Sequence, residues 1–139
     1  MAIPTLFSTA AFPVTANVAD DPDDGIGLYS SDYLNSYNVF AQKGASSGKL
    51  DITYVVIAPA RMSKIGASKI EIYRDLNTKV ATFYGSTANR LQDSNTGTHG
   101  GTYTYSGTAG VAYYAKVTVF ASDANGSDSR TIITNSVVV

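Results

Sequence analysis

Residues 111–121 read VAYYAKVTVFA. In an extended chain Tyr113, Ala115, Val117 and Val119 point one way and Lys116 and Thr118 the other. A helix would scatter these side chains around its axis, so a period of two marks a strand with one face to bury. The pattern recurs. KLDITYVVIAP sets Leu50, Ile52, Tyr54 and Val56 against Lys49, Asp51 and Thr53, and Pro59 is expected to close that strand. DYLNSYNVFAQ places Tyr33, Tyr37 and Val39 together. SKIEIYRD sets Ile70 and Ile72 against Lys69, Glu71 and Tyr73. KVATFYG, TYTYSG (with Tyr103 and Tyr105 on one face) and SRTIITNSVVV complete the set.

Turn signals separate these runs. ARMSKIG reads as a connector of at most one helical turn, LNT as a short turn, and residues 85–101 as the longest irregular stretch. SDANGSD reads as a hairpin connection around Asn125 and Gly126. Seven short strands with such spacing predict an all-β chain. The expected fold is an antiparallel immunoglobulin- or fibronectin-III-like β-sandwich, with a jelly roll as the competing topology. GTAGVAYYAKVTV looks like the corner and strand of such sandwiches, in which a tyrosine inside the strand anchors the preceding corner; here that is Tyr113. Cysteine and tryptophan are absent, so a disulfide framework and thiolate metal sites are excluded.

The first residues differ from the rest. AIPTLFSTAAFPVTA, residues 2–16, carries no charge, and residues 17–27, NVADDPDDGIG, read as an acidic linker before a domain at 28–139. Pro4 and Pro13 favour extended backbone. Ile3, Leu6, Phe7, Phe12 and Val14 would each gain about 1.5–3 kcal/mol from burial if large. Three readings stand: the tail of a secretion signal ending in Val-Thr-Ala, a first strand of the chain's own sheet, or a strand donated to a neighbouring copy. Head-to-tail donation does not close on itself and builds a fibre.

Within residues 62–134, KIGASKIEIY, the Tyr-x-Gly-Thr-Ala-Gly stretch, YYAKVTVFA and NGSDSRT resemble small secreted proteins of unknown function from clostridia and related Gram-positive bacteria. The resemblance implies export and a sandwich fold, and it implies no enzymatic activity. A charged content of 15% and the lack of cysteine fit a secreted or cell-surface protein. The net charge of −1 offers no electrostatic case for nucleic acid, and no apolar run is long enough to insert in a bilayer.

Candidate chemistry is sparse. His99, the only histidine, lies in TGTHGGT and reads as a solvated loop residue; no nucleophile, base and oxyanion donor assemble in a motif, so no catalytic residue is expected. GTHGG lacks the residues of a phosphate loop. Asp20, Asp21, Asp23 and Asp24 read as a solvated linker, because Pro22 breaks the EF-hand pattern, and the turn between Asp123 and Asp128 reads as a plain hairpin; no metal or other cofactor is expected. A Lys49–Asn135 isopeptide link aided by Asp51 is weighed against ordinary surface residues. Tyr73, Tyr84 and Tyr114 alternate away from the apolar faces or flank them and form a candidate ligand platform, since sugars stack on aromatic rings. The expected function is a structural subunit that assembles with copies of itself through the N-terminal arm. The alternative is a monomeric secreted module for adhesion or carbohydrate binding, with a glycan or host surface protein as partner.

Overall fold

A computed structural model describes residues 32–74 and 77–139. Among these residues there are seven strands and no helix. They are β1 (Ser36–Lys43), β2 (Lys49–Arg74), β3 (Thr78–Tyr84), β4 (Gln92–Ser106), β5 (Ala112–Asp123), β6 (Gly126–Ile133) and β7 (Val137–Val138). All pairings are antiparallel, and the strands form one continuous sheet curled into a half-barrel.

The 26-residue β2 organises the sheet. Its first part runs between β1 and β4, with Val56 opposite both Tyr37 and His99. Its last part runs between β3 and β5, with Ile70 opposite Phe83 and Val117. Between them, Lys64, Ile65 and Gly66 touch β4 on one edge and β5 on the other. One strand therefore serves two half-sheets and bends where it changes partners. The bends are register shifts: between Ile57 and Met62 against β4, and between Ala67 and Lys69 against β5. Bulges add local twist, which curls a sheet. Two expectations change here. Pro59 does not end a strand; it sits inside the first register shift, where a missing N–H costs no ladder bond. ARMSKIG is extended β2 and not a helical connector.

The alternation read from the sequence sets the core. Tyr37, Val39, Leu50, Ile52, Tyr54, Val56, Ile70, Ile72, Tyr113, Val117 and Val119 are all buried in one cluster. Phe83 of β3 reaches Tyr103 and Tyr105 of β4 at ring separations of 4.6 and 6.3 Å, and Tyr105 meets Tyr113 edge-on at 5.5 Å. This aromatic row lines the concave side between the two half-sheets.

Side chains finish the ends. Tyr113 anchors its corner as expected: the Thr108 N–H donates to its hydroxyl at 2.8 Å. Gly107 lets the ring approach, since a Cβ there would lie 2.6 Å from Tyr113. The Asn135 amide behaves like a strand residue toward β1. It accepts from the Ala41 N–H at 3.0 Å and donates to the Ala41 carbonyl at 2.9 Å. That use of Asn135 leaves nothing for the isopeptide idea: Lys49 donates to Ser106 at 2.6 Å, and Asp51 accepts from Thr104 at 2.7 Å. The three residues have separate partners. The β5–β6 hairpin forms one residue earlier than the sequence suggests: Asp123 is opposite Gly126, so Ala124 and Asn125, rather than Asn125 and Gly126, occupy the loop.

Candidate functional site

Two recesses bring polar and aromatic side chains together. The first lies on the convex face of the second half-sheet. Tyr73 and Tyr114 are directly opposed on β2 and β5. Their rings stack nearly parallel, 9° apart, with centroids separated by 5.2 Å. Cross-strand neighbours stand close enough for this contact, and each ring props the other upright. The Tyr114 hydroxyl donates to the Asn77 side-chain oxygen. Asn77 sits in the turn after β2 with φ of 71°, a conformation that asparagine tolerates better than most residues. The turn thus fixes the outer tip of the Tyr114 ring. Lys116, two residues along β5, places its ammonium 4.7 Å from the centre of the Tyr73 ring.

A groove of about 610 Å³ runs beside this pair, lined also by Ile133, Thr134 and Ser136. Beyond β6, which pairs β5 from Lys116 onward, residues 134–136 run past Tyr114 on the edge away from β2 and contribute to that groove. Tyr84 is separate. It is 71% exposed on β3, opposite Lys69, and does not line the groove. The structure therefore joins two of the three tyrosines and leaves the third apart.

The second recess was not legible as a site in the sequence. His99 belongs to β4 and its side chain is only 10% exposed, which corrects its reading as a solvated loop residue. The Tyr54 hydroxyl donates to the Leu91 carbonyl at 3.0 Å and lies 3.0 Å from His99 Nε2. On the other side of the ring, Nδ1 lies 4.0 Å from an Asp93 carboxylate oxygen. Burial pushes Tyr54 up to about 12, so it stays protonated. Burial also holds His99 below its ordinary value, against the opposing pulls of Asp93 and of a hydrogen bond to the Arg90 backbone. The signal that hid this arrangement is glycine. TGTHGG reads as loop, yet Gly101 faces Tyr54 because a Cβ there would stand 3.2 Å from the hydroxyl.

The loop from Gly85 to Leu91 frames this cleft of about 600 Å³. Asn89 accepts from the Ser86 and Leu91 N–H groups and donates to the Tyr84 carbonyl. Arg90, with φ of 65°, and Asp93 stand at the cleft. The cleft brings the Tyr54 hydroxyl, the His99 ring and the Asp93 carboxylate together.

His99 gives a pH prediction. Its folded-state pKa is lowered, so the unfolded chain takes the proton first, and stability falls as the pH drops below about 6.5. His99→Gln should flatten that part of the profile. Urea midpoints at several pH values between neutral and mildly acidic check this; an unchanged slope would contradict it.

Among the described residues no three His, Asp or Glu side chains converge as metal ligands. Asp128 pairs with Arg130 and accepts from the Ser129 N–H, and Asp123 accepts from the Asn125 N–H at 2.7 Å. Asp20, Asp21, Asp23 and Asp24 lie outside the described residues, as do the arm residues Ile3, Leu6, Phe7, Phe12 and Val14. No described helix is long and apolar enough to cross a membrane. No family model matches this chain, and no curated protein or solved structure matches it either.

Proposed function

We propose that this chain is a non-catalytic, secreted or surface-borne binding module that takes a saccharide on the convex face of β2, β5 and β6. The observation that carries the reading is the Tyr73–Tyr114 stack beside a groove with hydroxyl and amide groups. A sugar ring has apolar C–H faces and polar edges. It needs a flat aromatic surface with hydrogen-bonding groups around it. Tyr114 supplies the surface, and the Asn77 amide and the Ser136 hydroxyl stand beside it, while the buried Thr134 hydroxyl is already engaged by the Ala115 N–H and the Asn135 carbonyl. The test is a glycan-array screen of the full chain, repeated with Tyr114→Ala. Saccharide binding that depends on Tyr114 supports the reading, and binding to none, or binding indifferent to Tyr114, overturns it. Export rests on the resemblance of residues 62–134 to small secreted clostridial proteins. An immunoglobulin-like kinship has the Tyr113 corner on its side, while the passage of β2 through both half-sheets is a different connection from two stacked sheets.

A second reading, assembly through the N-terminal arm, is favoured by one observation. β4 is 15 residues long, contains neither proline nor lysine, and among the described residues pairs with β2 alone. A long edge without such protection accepts an added strand. The chain has no cysteine, so single-cysteine variants can be combined cleanly. Mixing Phe7→Cys with Thr102→Cys protein under mild oxidation should yield a mixed disulfide dimer if the arm of one copy lies along β4 of another. Absence of that species contradicts assembly at this edge.

A further inference from the structure

The convex face carries a charge imbalance that its neighbours explain. Among the described residues Glu71 is the acidic residue beside the tyrosine pair, and it is already engaged by two lysines. Lys79 donates to it at 3.0 Å, and Lys69 lies 4.0 Å away. Lys116 is directly opposite Glu71 in register, yet its ammonium is drawn over the Tyr73 ring instead. Among the described residues no carboxylate lies within ion-pair distance of Lys116, although it lines the groove. Among the described residues, three lysines stand against one glutamate in this patch, on a chain whose net charge is −1.

We infer that the saccharide taken here is acidic, with a carboxylate that pairs with Lys116 while the sugar ring packs on Tyr114. The inference rests on the saccharide reading of the groove and names its ligand class. A cation held above an aromatic ring keeps its outward N–H groups, and a ligand carboxylate completes its coordination without displacing a protein anion. A neutral sugar would find the aromatic surface but leave the ammonium to water.

The test uses the full chain and uronate oligosaccharides of the galacturonate, glucuronate and alginate series, each compared with its own methyl ester. Esterification removes the charge and keeps the ring. The acids should bind about tenfold or more tightly than the esters, and added salt should narrow the gap. Lys116→Gln should weaken the acids about tenfold and leave the esters within about twofold. Equal binding of acid and ester overturns the inference. So does binding of neutral glycans in a Tyr114-dependent way with no uronate bound, a result that keeps the saccharide reading. Binding of no saccharide at all overturns both.

Discussion

Gly66→Ala is expected to destabilise the protein by about 3 kcal/mol or more, from backbone strain and overpacking together. Gly66 has φ of 146°, which side-chain-bearing residues rarely adopt. An added Cβ would stand 2.3 Å from the Leu91 carbonyl, 2.8 Å from Gln92 Cα and 3.2 Å from the His99 ring. Two of these three contacts are backbone, so a side-chain rotation cannot relieve them. Gly66 also lies where β2 meets both β4 and β5, and displacing it opens both seams. Gly110 provides the comparison: its φ is 85°, and nothing lies within 4 Å of the added Cβ. Gly110→Ala therefore reports backbone strain alone, about 1 kcal/mol or somewhat more. Urea denaturation of both variants separates the steric part. Equal losses would show that the close approach at Gly66 is not a constraint.

Tyr114→Ala is the second large effect, and it falls on binding. The substitution removes the surface facing the groove, the partner that keeps Tyr73 upright and the hydroxyl held by Asn77. Saccharide affinity should drop about tenfold or more, since an aromatic contact of this kind is worth on the order of 1 kcal/mol beyond its buried area. Tyr114 is not part of the buried core, so the loss of stability should be about 1–2 kcal/mol, from the ring pair and the hydrogen bond to Asn77. Tyr84→Ala should leave binding unchanged, because Tyr84 does not line the groove. Calorimetric titration of the three proteins checks both statements.

The strands were legible because their apolar faces alternate. Leu50, Ile52, Tyr54 and Val56 are buried one after another, as are Tyr113, Ala115, Val117 and Val119. The path of β2 was not legible. Pro59 carries a local signal for a stop, but the register shift around it satisfies the backbone while the strand continues. β4 was partly hidden because its first half is rich in glycine and polar residues, which pack against the long β2 through backbone pairing rather than through apolar side chains. The final run SRTIITNSVVV reads as one strand and folds as β6 and β7 along the same partner, with Asn135 between them turned to Ala41.

The same contrast applies to the sites. Tyr73 and Tyr114 could be placed on the outer face by counting, and their opposition across β2 and β5 needed only the register. Lys116 was visible as a polar-face residue, but that no described carboxylate pairs with it depends on where Lys69 and Lys79 reach. His99 could not be placed without β4, since a histidine among glycines and threonines carries no periodic signal.

The central claim is that a saccharide is held at the Tyr73–Tyr114 groove. The most direct measurement is an NMR titration of the isotope-labelled full chain with pooled neutral and acidic oligosaccharides, following the backbone amides. The account predicts shifts concentrated at Asn77, Tyr114, Lys116, Thr134 and Ser136. Shifts confined to the cleft around Arg90, Asp93 and His99, or no shifts with any saccharide, would contradict it.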